Sequence, residues 1–184
     1  MNTEPLSLPE ILLITPKRHG DARGWFTETY TRRAFAEAGV ADDFVQENHA
    51  YSKEQGTLRG LHLQVPPKAI SKLIRCVAGA IFDVAVDVRA GSPTYGRWAG
   101  AELSAENGRS LYVPRGFAHG YLTLTPDVEV LYKQDGYWAP DCERGVRWDD
   151  PAIGIDWPLP PGGVTLNDRD RALPLLADFQ PVTL

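Results

Sequence analysis

Two histidines keep company that suits proton transfer: His62 in LRGLHLQ and His119 in VPRGFAHGY. A neutral imidazole is the best general base near neutral pH when a carboxylate fixes its tautomer and stabilises the imidazolium. The late string LNDRD offers two such carboxylates, Asp168 and Asp170, and spacing alone does not choose between them or against a solvated charged turn. The run LYKQDGYWAP adds Tyr132, a phenol able to give a proton. It also holds Tyr137 and Trp138, flat rings that can pack in a core or stack on a base. In a strand, Arg59 and His62 at their odd spacing face opposite ways, and Gly60 between them is where a bulge or close ligand approach relaxes that alternation. In VPRGFAHGY, Pro114 and Gly116 stiffen a turn just before a strand, so both histidines are expected on the rim or interior of a barrel.

Metal binding is the other use for histidines in a small double-sheet barrel. Such a site takes two closely spaced histidines, a carboxylate, and a later histidine after a Pro-x-Gly turn. The later element is present in PRGFAH, but the residue two beyond His62 is Gln64, a poor ligand for metals that favour imidazole. No metal is expected. Cys76 and Cys142 make neither a disulfide framework nor a CxxC pair and read as reduced structural thiols.

The elements that must position these residues are mostly strands. One helix is expected from Thr31 to Ala38 in TRRAFAEAG, with Gly39 placed to end it. Phe82, Val84, Val86 and Val88 alternate with Asp83, Ala85 and Asp87 in a two-faced strand. That strand follows SKLIRCV across Ala78-Gly79, which reads as a hairpin. Further strands are expected at Tyr95–Leu103, Ser110–Val113, Gly120–Leu124 and Val128–Gln134, separated by Gly/Pro/Asn turns. Many short strands with one minor helix predict an all-β antiparallel sandwich or barrel of jelly-roll type. The Pro/Asp-rich tail from Trp148 reads as an ordered wrap, so residues 1–184 are expected to form one domain.

With 43% hydrophobic and 23% charged residues the composition is that of a soluble globular protein. The net charge of -5 argues against bulk nucleic-acid or acidic-membrane binding, and leaves a phosphate-bearing ligand to locally gathered cations. The apolar piece Ile11 to Ile14 is too short for a signal peptide or membrane span, and a cytoplasmic location is expected.

Taken in order, RGWFTETY, FVQENHAYS, LRGLHLQ, KLIRCVAGAIFDVAVDVR, GSPTYG, LSAEN, VPRGFAHGYLTL, EVLYKQDGYWAP and GVRWDDPAIGIDWP resemble the dTDP-4-dehydrorhamnose 3,5-epimerase family, over about Arg23 to Asp170. The resemblance implies a cupin-like double-stranded jelly-roll β-barrel, a homodimer, no cofactor, and a dTDP-sugar substrate in deoxysugar biosynthesis. It implies that His62 is the general base, Asp170 its carboxylate partner, Tyr132 the proton donor, and Lys72 the cation beside the keto group. It assigns Arg23, Glu28, Gln46 and Asn48 to the nucleotide, and Arg59, His119, Glu143 and Arg169 to other polar contacts with substrate. Trp138 falls where the family usually has a tyrosine that stacks on thymine; an indole stacks equally well but cannot copy the hydroxyl's hydrogen bond. Leu63, where an aromatic is usual, and Ile70-Ser71, where a Gln-small pair is common, also depart from the pattern.

The implied reaction inverts C3 and C5 of dTDP-4-dehydro-6-deoxy-D-glucose. Removing a proton next to the C4 ketone leaves an enolate, which a fixed cation stabilises, and inversion needs a proton from the opposite face. The alternatives are an epimerase acting on one carbon or a keto-isomerase on a related sugar and, further off, a metal-dependent cupin oxygenase.

Overall fold

The computed structural model describes residues 1–184. Its strands are β1 (Asn2–Pro5), β2 (Leu12–Thr15), β3 (Arg18–Asp21), β4 (Gly24–Thr27), β5 (Gln46–Ser52), β6 (Leu58–Gln64) and β7 (Lys72–Ala78). They continue as β8 (Ala80–Asp87), β9 (Trp98–Ser104), β10 (Ser110–Val113), β11 (Phe117–Thr123), β12 (Val128–Gln134) and β13 (Glu143–Gly145). The two α-helices are short, α1 (Arg32–Glu37) and α2 (Asp168–Arg171).

A six-stranded sheet in the order β1-β2-β10-β7-β12-β5 faces a five-stranded sheet in the order β13-β6-β11-β8-β9, every pairing antiparallel. This is the expected jelly roll. Strand alternation builds its core: Ile74, Cys76, Leu111, Val113 and Val130 from one sheet meet Ile81, Ala85, Leu103, Phe117 and Tyr121 from the other. The outer face of the larger sheet is covered at Leu73 and Tyr112 by Phe35 of α1 and by Val40. Helix α1 matches the predicted helix, with Thr31 and Ala38 as its caps and Gly39 at φ +93 beyond.

The tail wraps the five-stranded sheet as expected. Ile153, Trp157, Phe179 and Val182 lie over Leu58, Leu61, Val84, Val86 and Leu122. Burying each such valine or leucine contributes about 1.5–3 kcal/mol. The Asp150 carboxylate ties the wrap down, accepting from the N–H of Ala152 (2.7 Å) and of Leu176 (2.5 Å).

Three sequence readings are corrected. β7 and β8 do not form a hairpin: β7 pairs with β10 and β12, and β8 with β9 and β11. The chain crosses between sheets at Gly79, where a Cβ would sit 2.4 Å from Thr125 Oγ1. The strand predicted at Gly120–Leu124 begins at Phe117, which puts His119 in mid-strand and not in the turn before it. The strand predicted from Tyr95 begins at Trp98. The two faces of β8 are both buried, so Asp83 and Asp87 point between the sheets, fully enclosed.

Candidate active site

Between the sheets opens a cavity of about 210 Å³. The smaller sheet supplies Arg59, His62 and Gln64 from β6, His119 and Tyr121 from β11, and Glu143 from β13. The larger sheet supplies Ala50 from β5, Lys72 from β7, and Tyr132 and Gln134 from β12. Leu63, Ile70, Trp138, and Asn167 and Asp170 of the α2 segment complete the wall.

Gly60 explains how Arg59 and His62 share this cavity despite their odd spacing. His62 pairs with His119 and Arg59 with Tyr121, so β6 holds one more residue than β11 over the same span, a bulge that reverses the alternation. Gly60 sits at φ +115, and a Cβ there would lie 2.6 Å from both Gly120 Cα and the His119 carbonyl oxygen. After the bulge Leu61 and Leu63 join the core beneath the tail, while His62 and Gln64 turn inward.

Asp170 is held from three sides. Asn167 caps α2 by accepting from the Asp170 N–H at 2.7 Å, and the Asp170 carboxylate is 1% exposed. Its Oδ2 accepts from the Gly60 N–H (3.1 Å) and its Oδ1 lies 2.6 Å from His62 Nε2. Burial pushes the Asp170 carboxyl up, but the hydrogen bond and charge of His62 and the Gly60 N–H outweigh it, so the group is held below the usual carboxylate range. An ionised carboxylate only accepts, which assigns the imidazole proton to Nε2 and leaves the lone pair on Nδ1.

A second such pair stands beside it. His119 Nε2 is 2.7 Å from Oδ1 of the enclosed Asp83, whose Oδ2 has no partner. Burial pushes His119 down, against the pull of Asp83, and keeps the ring neutral. Lys72 donates from Nζ to the His62 carbonyl oxygen at 3.1 Å. Desolvation lowers its ammonium to about 8, with Glu143 and Asp83 opposing. Burial first, and Glu143 second, raise the Tyr132 phenol above its usual value, so it keeps its proton at neutral pH.

At the mouth, Trp138 Nε1 donates to Glu143 Oε2 (3.1 Å), and the same oxygen pairs with Arg169 (2.9 Å). Burial raises Glu143, yet these two bonds hold it below its usual value. Arg169 lines not the cavity but an adjoining hollow with Arg144 and the chain's last segment. Gln46 accepts from the Trp138 N–H (3.1 Å) and donates to Asn48 (3.0 Å); neither lines the cavity.

Eight of the predicted residues therefore converge: His62, Asp170, Tyr132, Lys72, Arg59, His119, Trp138 and Glu143. Arg23 and Glu28 do not. Arg23 pairs with Asp21 in the β3–β4 ribbon at 2.6 Å with 90% of its side chain exposed, and Glu28 accepts from the Thr31 hydroxyl. Sequence reasoning missed Asp83, Tyr121, Gln134 and Asn167. A carboxylate directly after Phe82 in FDVAVD was the one signal available for Asp83. No three His, Cys, Asp or Glu side chains are arranged so that they could hold one metal ion, and the Gln64 amide is engaged by backbone groups.

An imidazole on one sheet, braced by a carboxylate from α2, shares a cavity with a phenol and a lysine from the other sheet, an arrangement able to move protons from two sides. Comparison with known proteins makes the class particular: the family model for dTDP-4-dehydrorhamnose 3,5-epimerase matches residues 5–178, and the chain belongs to that family. The dTDP-4-dehydrorhamnose 3,5-epimerase of Sinorhizobium fredii is 49% identical over 180 residues, covering 97% of this chain and 91% of that one. Among solved structures, dTDP-6-deoxy-D-glucose-3,5-epimerase from Legionella pneumophila, in complex with dTDP-4-keto-L-rhamnose, superposes with a TM-score of 0.92 at 41% identity, covering 97% of this chain and 94% of that one. A 3'-monoepimerase from Streptomyces bikiniensis, in complex with dTDP-quinovose, does so with a TM-score of 0.87 at 37% identity, covering 95% and 87%.

Proposed function

We propose that this chain inverts C3 and C5 of dTDP-4-dehydro-6-deoxy-D-glucose to give dTDP-4-dehydro-L-rhamnose. His62 removes the proton next to the C4 ketone, with Asp170 holding the ring and balancing its charge. A base so placed contributes roughly 10²–10⁴ in rate. The Lys72 ammonium stabilises the enolate oxygen, and Tyr132 returns a proton to the other face. Arg59, His119, Glu143 and Arg169 hold the sugar and diphosphate, and Trp138 stacks on the base at the mouth. The reaction needs no metal or cofactor. One observation carries this reading: His62 belongs to one sheet and Tyr132 and Lys72 to the other, so base and acid stand on opposite walls of one cavity.

The proposal extends to a homodimer of single-domain chains in the cytoplasm. No helix is long and apolar enough to cross a membrane. Arg23 and Glu28 lie outside their own chain's cavity, on a segment that exposes Trp25 and Phe26. Nucleotide contacts by Arg23 and Glu28, with Gln46 and Asn48 beside the mouth, are then made to a neighbouring subunit's ligand. Inversion at one carbon alone is the second reading, favoured by the monoepimerase neighbour and by Leu63 and Ile70 in the cavity wall.

Proton NMR of the dTDP-4-keto-6-deoxyglucose substrate with enzyme in D2O decides between them. Deuterium entering C3 and C5 with inversion at both is the expected result, and exchange at one carbon alone supports the second reading. In Tyr132→Phe, which keeps the ring and loses the phenolic proton, exchange should continue while inverted product falls far more steeply. Inversion persisting at nearly the wild-type rate would remove Tyr132 from the role of donor.

A further inference from the structure

Gln64 follows His62 by two residues on the inward face of β6, where a metal-binding barrel would carry a second imidazole, and it is 3% exposed. Its amide is fully committed. Nε2 donates to the carbonyl oxygens of Lys68 (2.7 Å) and Tyr137 (3.3 Å), and Oε1 accepts from the Ala139 N–H (2.8 Å). These partners belong to the two connections that form one lip of the cavity, one between β6 and β7 and the other after β12.

Tyr137 and Ala139 flank Trp138, so one buried amide grips the backbone on either side of the indole. The remaining holds on this residue are the Gln46 carbonyl on its N–H and Glu143 on its indole N–H. Two rings of the lip, Tyr137 and Trp138, are more than half exposed, so little packing holds the segment and these hydrogen bonds decide its course. A buried amide is suited to this because a satisfied polar network specifies one arrangement, and one missing partner leaves several groups unpaired.

We propose that Gln64 is a positioning residue for the nucleotide: it presets the Tyr137–Ala139 lip so that Trp138 and Glu143 stand ready before substrate arrives. This rests on the dTDP-sugar reading above. Gln64 touches none of the reacting groups named there, so its effect falls on binding and not on the chemical step. Preorganisation of this kind raises affinity by removing an ordering cost that the ligand would otherwise bear.

Two variants test it. Gln64→Ala removes all three bonds, and Gln64→Glu, nearly the same shape, keeps the acceptor for Ala139 but turns an oxygen toward two carbonyls. In both, amide hydrogen exchange over residues 135–142 should accelerate while the β8 and β11 amides keep their protection. The dTDP affinity by calorimetry should fall about tenfold, KM should rise by a similar factor, and kcat should stay within about twofold, as loss of uniform binding requires. Combined with Trp138→Ala, Gln64→Ala should add almost nothing to the loss of dTDP affinity, since coupled residues are not additive. Unchanged lip exchange, a kcat that falls in step with kcat/KM, or strictly additive losses would overturn the assignment. If wild-type protein does not bind dTDP, the substrate reading fails, while lip exchange still judges the clamp.

Discussion

Lys72 illustrates how a single residue's surroundings set the working pH. Its ammonium is desolvated in the cavity wall and titrates near 8, whereas the Tyr132 phenol is pushed above its usual value and titrates later. The first group lost on the alkaline side is therefore the cation proposed to stabilise the enolate. The profile of kcat/KM should fall above about pH 8. In Lys72→Arg, whose guanidinium keeps its proton, a lower activity should persist without that limb; a limb unmoved in this variant would assign it elsewhere. The contribution of Lys72 to folding stability moves the opposite way. Above about 8 the unfolded chain keeps this proton longer than the folded one, so that contribution rises toward the free-lysine pKa as activity falls. Loss of the Lys72 proton therefore does not itself unfold the protein. The residues of this site were legible where their neighbours formed recognisable strings, as with LRGLH for His62 and LNDRD for Asp170. Asp83 was not, because an aspartate in an alternating strand reads as solvent-facing until a second sheet covers that face. Gln64 could be read only as a failed metal ligand, since its hydrogen-bond partners at Lys68, Tyr137 and Ala139 are brought near by the fold alone.

At the scale of elements the critical place is where β6 pairs with β11 around Gly60. Register in a sheet has a period of two, so one inserted residue turns every later side chain over. The bulge at Gly60 uses that rule to bring Arg59 and His62 to one side. The glycine in the sequence marked the position and a bulge or a close ligand approach as its outcome; that it is a bulge follows only from the partner strand β11. The β7–β8 hairpin was misread for a related reason. Two strand-like runs around a glycine look alike whether the chain folds back in one sheet or crosses to another, and only the long-range partners β10, β12, β9 and β11 decide. Gly60→Ala should cost about 3 kcal/mol or more in urea unfolding and abolish turnover, because a Cβ would run into the His119–Gly120 backbone of β11 and φ is positive. Gly91→Ala is the control. It has φ +72 but no atom within 4 Å of the added carbon, and should cost only the left-handed strain of about 1–2 kcal/mol. Equal costs at the two positions would mean that the bulge is not tightly packed against β11.

At the scale of the whole molecule, the ribbon β3–β4 is paired to neither main sheet. A two-stranded ribbon is marginally stable by itself in water. Here it is tethered by Arg18, which stacks over Trp25 at 4.3 Å and donates to the Ala105 carbonyl oxygen at 2.8 Å. Yet Trp25 is 55% and Phe26 71% exposed, and exposed aromatic surface of this kind marks an interaction site. The arm also carries Arg23, a cation outside its own chain's cavity. A second copy related by twofold symmetry would cover the aromatics and receive the arginine at its mouth in one docking. Trp25→Ser with Phe26→Ser should accordingly give folded monomers by light scattering and circular dichroism, with weakened dTDP binding. A sharper test uses two inactive chains. In the proposed dimer, Arg23→Glu would spoil the cation that one subunit lends, and His62→Asn the base that the other keeps. When the two are unfolded together and refolded, random pairing makes about half of the dimers hybrid, each with one site free of both changes, so roughly a quarter of all sites should be intact. Activity should recover to that level from two near-silent preparations. If Arg23 served its own chain's cavity, every site in the mixture would carry one defect, and no recovery would be seen.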